Sequence, residues 1–184
     1  TYLALKYSKF PKSRVFGSGT ILDTARFRYM LGEYFEVSSN SVHAYILGEH
    51  GDSSFPVWST ANIAGVNLKH FRKYNKREMG KIFMKTKYAA YEIVARKGAT
   101  YYAIGLGIAK IVSAILSDQN EVLALSSYLK KYHGVSDVCL SVPCIVNRNG
   151  IKEQVLMPLN SLEKKQLRKS ANVVKGVIKG CVNC

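Results

Sequence analysis

The 184-residue sequence predicts an α+β fold in a single domain-sized unit, and three observations carry that prediction. Two stretches, residues 76–97 and 161–180, place apolar residues near helical spacing. Three runs, EVLALSSYL, DVCLSVPCIVNRNG and KEQVLMPL, have the composition and length of strands. No linker, internal repeat or low-complexity tract divides them, and 47% hydrophobic content is enough to bury one sizeable core.

The elements follow in order. From Thr20, TILDTARFRYMLGEYF reads as a helix: Thr20 can cap it, Asp23 suits the positive end of the helix dipole, and Leu22, Ala25, Tyr29 and Leu31 supply apolar positions. SVHAYILGEH and the residues after it suggest an extended hairpin, with Gly48 and Gly51 permitting turns around His50. A long helix spans Lys76 to Lys97 and stops at Gly98, with Met79, Ile82, Phe83, Ala89, Ala90 and Ile93 on its apolar side. A second helix follows in TYYAIGLGIAKIVSAILSD, where Ala103, Gly105, Gly107 and Ala109 would allow close backbone packing. After the strands, separated in part by a Tyr-His-Gly turn, SLEKKQLRKSANVVKGVIKG closes the chain as an amphipathic helix capped by Asn160 or Ser161.

Composition narrows the function classes. Lys and Arg number 27 against 12 acids, a formal charge of +15, which attracts nucleic acid, acidic membranes or anionic metabolites without choosing among them. Most lysines of KHFRKYNKREMGKIFMKTK read as the solvated face of a helix. Neither a zinc-finger spacing nor an aromatic RNA-binding motif is present, and Tyr88, Tyr91, Tyr101 and Tyr102 read as core or interface, so a nucleic-acid module is disfavoured. No window holds the roughly 20 apolar residues of a membrane span, and the first residues lack the pattern of a secretory signal. Four cysteines, Cys139, Cys144, Cys181 and Cys184, suit reduced thiols in a cytoplasmic protein; the two-residue gap between Cys181 and Cys184 is that of a metal or redox pair, but free thiols are the simpler reading.

The chemistry centres on His50. A histidine between glycines is more often a turn residue than a catalyst. Asp23, however, can orient an imidazole through one ring nitrogen and leave the other free to exchange a proton near neutral pH. Arg26, three residues on and so on the same helical face, offers a planar fork that grips a carboxylate through two parallel hydrogen bonds. Whether residues 23, 26 and 50 meet in space is open at the level of sequence.

GSGTILDTARFRYMLGEYF, SVHAYILGEHGDSSFPVWSTANIAGVNL, KGATYYAIGLGIAKIVSAIL and VCLSVPCIVNRNGI, in that order, strongly resemble the C-terminal half of the bacterial L-lactate dehydrogenases. The resemblance runs from Tyr2 to about Gly180. It implies a mixed antiparallel sheet packed with long helices, a segment 1–19 leading from a dinucleotide-binding unit, and a substrate-binding domain over 20–184. It also implies roles. His50 corresponds to the proton donor and acceptor, Asp23 to the carboxylate that stabilises its imidazolium, and Arg26 to the clamp on the substrate carboxylate. Thr100 would line the substrate pocket and Ile104 would pack against the nicotinamide of NAD; a helix cap and simple core are their structural alternatives. Arg28 and His43 match an anion site for fructose 1,6-bisphosphate at a subunit interface, where neutralising two facing cations could favour a homotetramer. A surface arginine and a strand histidine are the plain alternatives.

The family's Gly-x-Gly-x-x-Gly turn, which holds the pyrophosphate of NAD, does not occur in these 184 residues: GSG at 17–19 lacks the preceding strand and third glycine, and GLG at 105–107 lies in a predicted helix. The first residue is not methionine, in keeping with a piece of a longer chain. The expectation is that these residues alone have negligible turnover of pyruvate with NADH. Rival readings are a malate or other 2-hydroxyacid dehydrogenase, to which GSGT and KGATYY are less suited, and a non-catalytic partner that keeps the family's interface.

Overall fold

The computed structural model describes residues 1–182. A seven-residue helix, α1 (Tyr2–Ser8), and a single 3-10 turn at Lys12–Arg14 lead to α2 (Ile21–Phe35). Five two-residue strands follow: β1 (Val42–His43), β2 (Ile46–Leu47), β3 (Phe55–Pro56), β4 (Asn62–Ile63) and β5 (Val66–Asn67). Two helices, α3 (Lys76–Lys97) and α4 (Tyr102–Leu116), precede the main sheet of β6 (Glu121–Leu129), β7 (Val138–Asn147) and β8 (Gly150–Gln154). The last element is α5 (Ser161–Val182).

All strand pairs are antiparallel: β6 with β7 and β7 with β8, β1 with β4 and β4 with β5, and β2 with β3. The hairpin expected around His50 is therefore β2–β3. Residues of β7 are buried at consecutive positions from Val138 to Cys144, so both faces of that strand are covered. The larger core joins the inner residues of β6 and β7 to Leu47 and Phe55, to Ile111 and Ala114 of α4, and to Leu167 and Ala171 of α5. A second core sits between α2 and α3, built from Phe27, Leu31, Met79 and Ile82 with Val42, Ile46 and Ile63.

Local chemistry explains the well-defined ends. Asn75 caps α3 by accepting from the N–H groups of Arg77 and Glu78, and Gly98 ends it at φ 76°, where a side chain would be strained. At α5, Glu163 N donates to Asn160 Oδ1 and Asn160 N to Glu163 Oε2, both at 2.9 Å; this reciprocal capping box selects Asn160 over Ser161 as the cap.

Several local expectations change. Thr20 precedes α2 but its hydroxyl makes no cap; it donates instead to the buried carbonyl of Ile46 at 2.6 Å, an acceptor that the Thr24 hydroxyl also reaches at 3.5 Å. Ala25 and Tyr29 are exposed rather than core. None of Tyr88, Tyr91, Tyr101 and Tyr102 is buried in this chain. Of the glycines in α4, only Gly107 makes the predicted close approach: a Cβ there would lie 3.4 Å from Ile21 and Leu22, whereas one at Gly105 would meet nothing within 4 Å. The run KEQVLMPL is strand only as far as Gln154. Beyond it Tyr132 anchors the chain, donating to the carbonyl of Val155 and accepting from the N–H of Met157.

Candidate active site

Two isolated bridges extend the main sheet and position the site. Gly17 exchanges backbone hydrogen bonds with Ser126 of β6, at 2.9 and 3.0 Å, and Gly48 does so with Ser141 of β7, at 3.0 and 2.8 Å. Ser126 and Ser141 are themselves cross-strand partners, so Gly17, Ser126, Ser141 and Gly48 form one continuous row. The row needs small residues and unusual backbone: Gly48 has φ 95°, and a Cβ there would come within 2.7 Å of the Ser170 hydroxyl. The chain leaves one end of the row to start α2 and leaves the other end toward His50.

Residues of α2 bind the strand that leads into this loop. Thr20, just before α2, and Asp23 and Thr24 in its first turn lie on one helical face and are all buried. The two threonines flank the carboxylate and hold β2: Thr20 Oγ1 donates to the Ile46 carbonyl, while Thr24 Oγ1 accepts from Ile46 N at 3.2 Å. Residues 48–54 are fastened elsewhere by Glu49 N donating to Ser170 Oγ at 2.7 Å and by the Ser53 hydroxyl donating to the Glu49 carboxylate. From α3, Lys87 Nζ donates to the carbonyl of Asp52 at 2.6 Å.

So held, His50 Nδ1 lies 2.6 Å from Asp23 Oδ2. The carboxylate side chain is 10% exposed and the imidazole 56%, so the acid is shielded while the ring's outer edge faces solvent. With Nδ1–H donating to the carboxylate, Nε2 is the nitrogen left to exchange protons. The hydrogen bond to Asp23 raises the pKa of His50 above its ordinary 6.5; burial opposes that shift, the charges of Asp23 and Glu49 assist it, and the charge of Arg26 opposes it. His50 borders a cavity of about 280 Å³ whose walls include Gly17, Ser18, Gly19, Gly48 and Ser141. The buried hydroxyl of Ser141 has no hydrogen-bond partner among the described residues.

The other predicted residues divide into groups. Arg26 and Thr100 border a separate cavity of about 370 Å³, together with Arg96, Lys97, Tyr101 and Tyr102. Arg26 thus shares its helix face with Asp23 and its cavity with Thr100, while His50 opens into the other cavity, with which that one shares no lining residue. Ile104 is half-buried in α4 and borders neither cavity. Arg28 donates from Nε to the Ala44 carbonyl at 2.9 Å, and its guanidinium lies 4.6 Å from the Tyr45 ring centre; His43, next to Ala44, is exposed on β1. Among the described residues no cluster of three His, Cys, Asp or Glu could hold a metal. Burial pushes the thiols of Cys139 and Cys144 up to about 11, which makes both poor nucleophiles. Cys181 is exposed, and its pairing with Cys184 lies outside the described residues.

Sequence reasoning missed the threonines beside Asp23 and the fasteners Lys87 and Ser170. The threonines had a signal, since positions 20, 23 and 24 share a helical face. Ser170 had none: it lies 121 residues from the backbone group it holds.

The model of the lactate/malate dehydrogenase, alpha/beta C-terminal domain family matches residues 20–183. The chain is 50% identical over 184 residues to the L-lactate dehydrogenase of Acetivibrio thermocellus, an alignment covering 97% of this chain and 58% of that protein. It is 49% identical over 178 residues to the L-lactate dehydrogenase of Priestia megaterium, covering 95% and 56%. It is 48% identical over 182 residues to L-lactate dehydrogenase 1 of Peribacillus psychrosaccharolyticus, covering 97% and 57%. The chain spans a little over half the length of these curated relatives. On the family match, it belongs to the lactate/malate dehydrogenase family, of which it carries the alpha/beta C-terminal domain.

Proposed function

We propose that this chain is the substrate-binding half of an NAD-dependent L-lactate dehydrogenase, an oxidoreductase that interconverts pyruvate and L-lactate. The observation that carries the proposal is the 2.6 Å contact between the Nδ1 of an exposed histidine and a shielded carboxylate, one helical turn from Arg26. A proton exchanger and an anion clamp are what reduction of a 2-keto acid asks of a protein.

In that scheme His50, protonated and paired with Asp23, gives its Nε2 proton to the keto oxygen as the alcohol forms. Asp23 fixes the ring and stabilises the imidazolium from which the proton leaves; in the reverse direction neutral His50 accepts the hydroxyl proton. Arg26 holds the substrate carboxylate by its fork, with Thr100 lining the same cavity. NADH, when bound, supplies the hydride to the keto carbon. The cavity beside His50 has room for the reactive end of that cofactor; Ile104, half-buried in α4 and outside that cavity, is the residue proposed to face the nicotinamide, and the pyrophosphate turn is not among the residues present. Residues 1–19 are proposed as the segment leading from a dinucleotide-binding unit and residues 20–184 as the substrate-binding domain.

A second proposed site is the fructose 1,6-bisphosphate site of a homotetramer at Arg28 and His43. Its support is that Arg28 bonds the residue next to His43 and is braced on Tyr45, which brings a guanidinium and an imidazole to one edge of the β1 segment. Cytoplasmic lactate fermentation is the setting this reading implies; among the described residues no helix is long and apolar enough to cross a membrane. The test of the main proposal joins residues 1–184 to the dinucleotide-binding half of the Priestia megaterium relative and measures NADH oxidation with pyruvate and with oxaloacetate. Turnover of pyruvate supports it, and no turnover of either acid by a folded fusion that binds NADH would contradict it.

A further inference from the structure

The outer face of α5 carries charge that the dehydrogenase reading does not use. Lys164, Lys165, Arg168, Lys169, Lys175 and Lys179 project from this 22-residue helix, and none has an ion-pair partner among the described residues. At 3.6 residues per turn they occupy a sector of about 140°, along a helix about 33 Å long. The one acid of the helix, Glu163, is buried and engaged by the N–H and hydroxyl of Ser59 and by the Asn160 cap; it borders the groove but forms no ion pair with these cations. The opposite face is spent on the core, where Leu167, Ser170 and Ala171 are buried.

An apolar strip borders the cationic sector. Leu162, Val173 and Val177 are 74%, 41% and 64% exposed, and on the helical wheel they fall beside Lys169. At the start of the helix Leu162, Lys165 and Lys169 share a groove of about 570 Å³ with Trp58. A tryptophan flanked by lysines and an aliphatic residue suits the boundary between lipid headgroups and acyl chains, where an indole has both a wet and an apolar side. A phosphate backbone would match the cations but leave the apolar strip without a partner, and Trp58 is a single ring at one end of α5, which itself has no aromatic residue on which successive bases could stack.

We propose that the outer face of α5, with Trp58 at its N-terminal end, docks this chain on an anionic lipid surface. The cations supply attraction to acidic headgroups and the Leu162–Trp58 groove supplies shallow apolar insertion. The site is separate from Asp23, Arg26 and His50, and its test does not depend on catalysis.

Because Trp58 is the only tryptophan in the sequence, its fluorescence reports the groove directly. The purified chain is titrated with vesicles of phosphatidylcholine alone, and with vesicles of phosphatidylcholine and phosphatidylglycerol. Sedimentation with the mixed vesicles only, accompanied by a blue shift of Trp58, is expected. Lys165→Glu with Lys169→Glu is expected to weaken that binding at least about tenfold. The same net charge change on α3, through Lys76→Glu with Lys85→Glu, is expected to weaken it far less, and circular dichroism verifies that both variants are folded. No binding to the mixed vesicles, equal binding to neutral vesicles, or equal losses in the two variants would overturn the proposal. Preferential binding of an RNA duplex through the same two lysines would overturn it in favour of a nucleic-acid surface.

Discussion

His50 Nδ1 and Asp23 Oδ2 lie 2.6 Å apart although 27 residues separate them in the chain, and the Thr20 and Thr24 contacts to Ile46 hold the helix of one against the strand before the other. The pair therefore joins the first turn of α2 to the loop that follows β2. The first prediction concerns its titration. Replacing Asp23 by Asn removes the main cause of the raised His50 pKa and leaves burial and Arg26, which both act downward, against Glu49 alone. NMR titration of the imidazole is expected to place His50 above 6.5 in the native chain and clearly lower in Asp23→Asn; an unchanged value would show that the contact does not control the proton.

The same pair couples stability to pH. A histidine whose pKa is raised on folding contributes fully below its unfolded pKa, and that contribution fades as pH rises through the folded value. The melting-temperature difference between the native chain and His50→Gln is expected to be larger at about pH 5.5 than at about pH 8.5. A difference independent of pH would contradict the ion pair.

The anchor at Thr20 has its own cost. Thr20→Val keeps the shape but leaves the buried Ile46 carbonyl without its 2.6 Å donor, and a loss of about 1–3 kcal/mol is expected by denaturant titration. Thr20→Ser, which keeps the hydroxyl, is expected to lose less; a loss in Thr20→Ser with none in Thr20→Val would place the effect in packing alone.

At the far end of the fold, Asn160→Ala removes the side-chain acceptor for Glu163 N, while the Glu163 carboxylate keeps its bonds from the backbone N–H of residue 160 and from Ser59. A destabilisation of about 0.5–2 kcal/mol is expected from the cap. Ser161→Ala, which makes no part of the capping box, is expected to stay within about 0.5 kcal/mol of the native chain.

Arg26 bears on substrate affinity. In the joined enzyme, Arg26→Leu is expected to raise the KM for pyruvate roughly tenfold to a hundredfold, the range given by loss of charged hydrogen bonds. A normal KM in that variant would remove Arg26 from the substrate site.

Much of this architecture could be read before folding, wherever local chemistry and burial agree. The helix Lys76–Lys97 begins after a capping Asn75 and stops at Gly98, and β6 occupies the apolar run Glu121–Leu129. The illegible parts depended on distant partners or on weak local signal. Helix α1 buries none of its seven residues, so it has no apolar periodicity to announce it. The strands β1 to β5 are two residues each, too short for alternation to show, and exist because the two cores hold them. At the candidate site, Asp23 and Arg26 could be placed on one helix face from their spacing alone. Joining Asp23 to His50 required the row from Gly17 to Gly48, which crosses β6 and β7 and leaves no trace in local sequence.

The most direct measurement of the central claim is pyruvate-dependent NADH oxidation by the joined enzyme with native His50 and with His50→Asn. The expected result is turnover that falls by on the order of a thousandfold in the variant, the scale of losing a general acid, while the fold and the binding of NADH persist. Equal turnover in the two proteins, or none in a properly folded native fusion that binds NADH, would contradict the assignment of His50 and with it the proposed function.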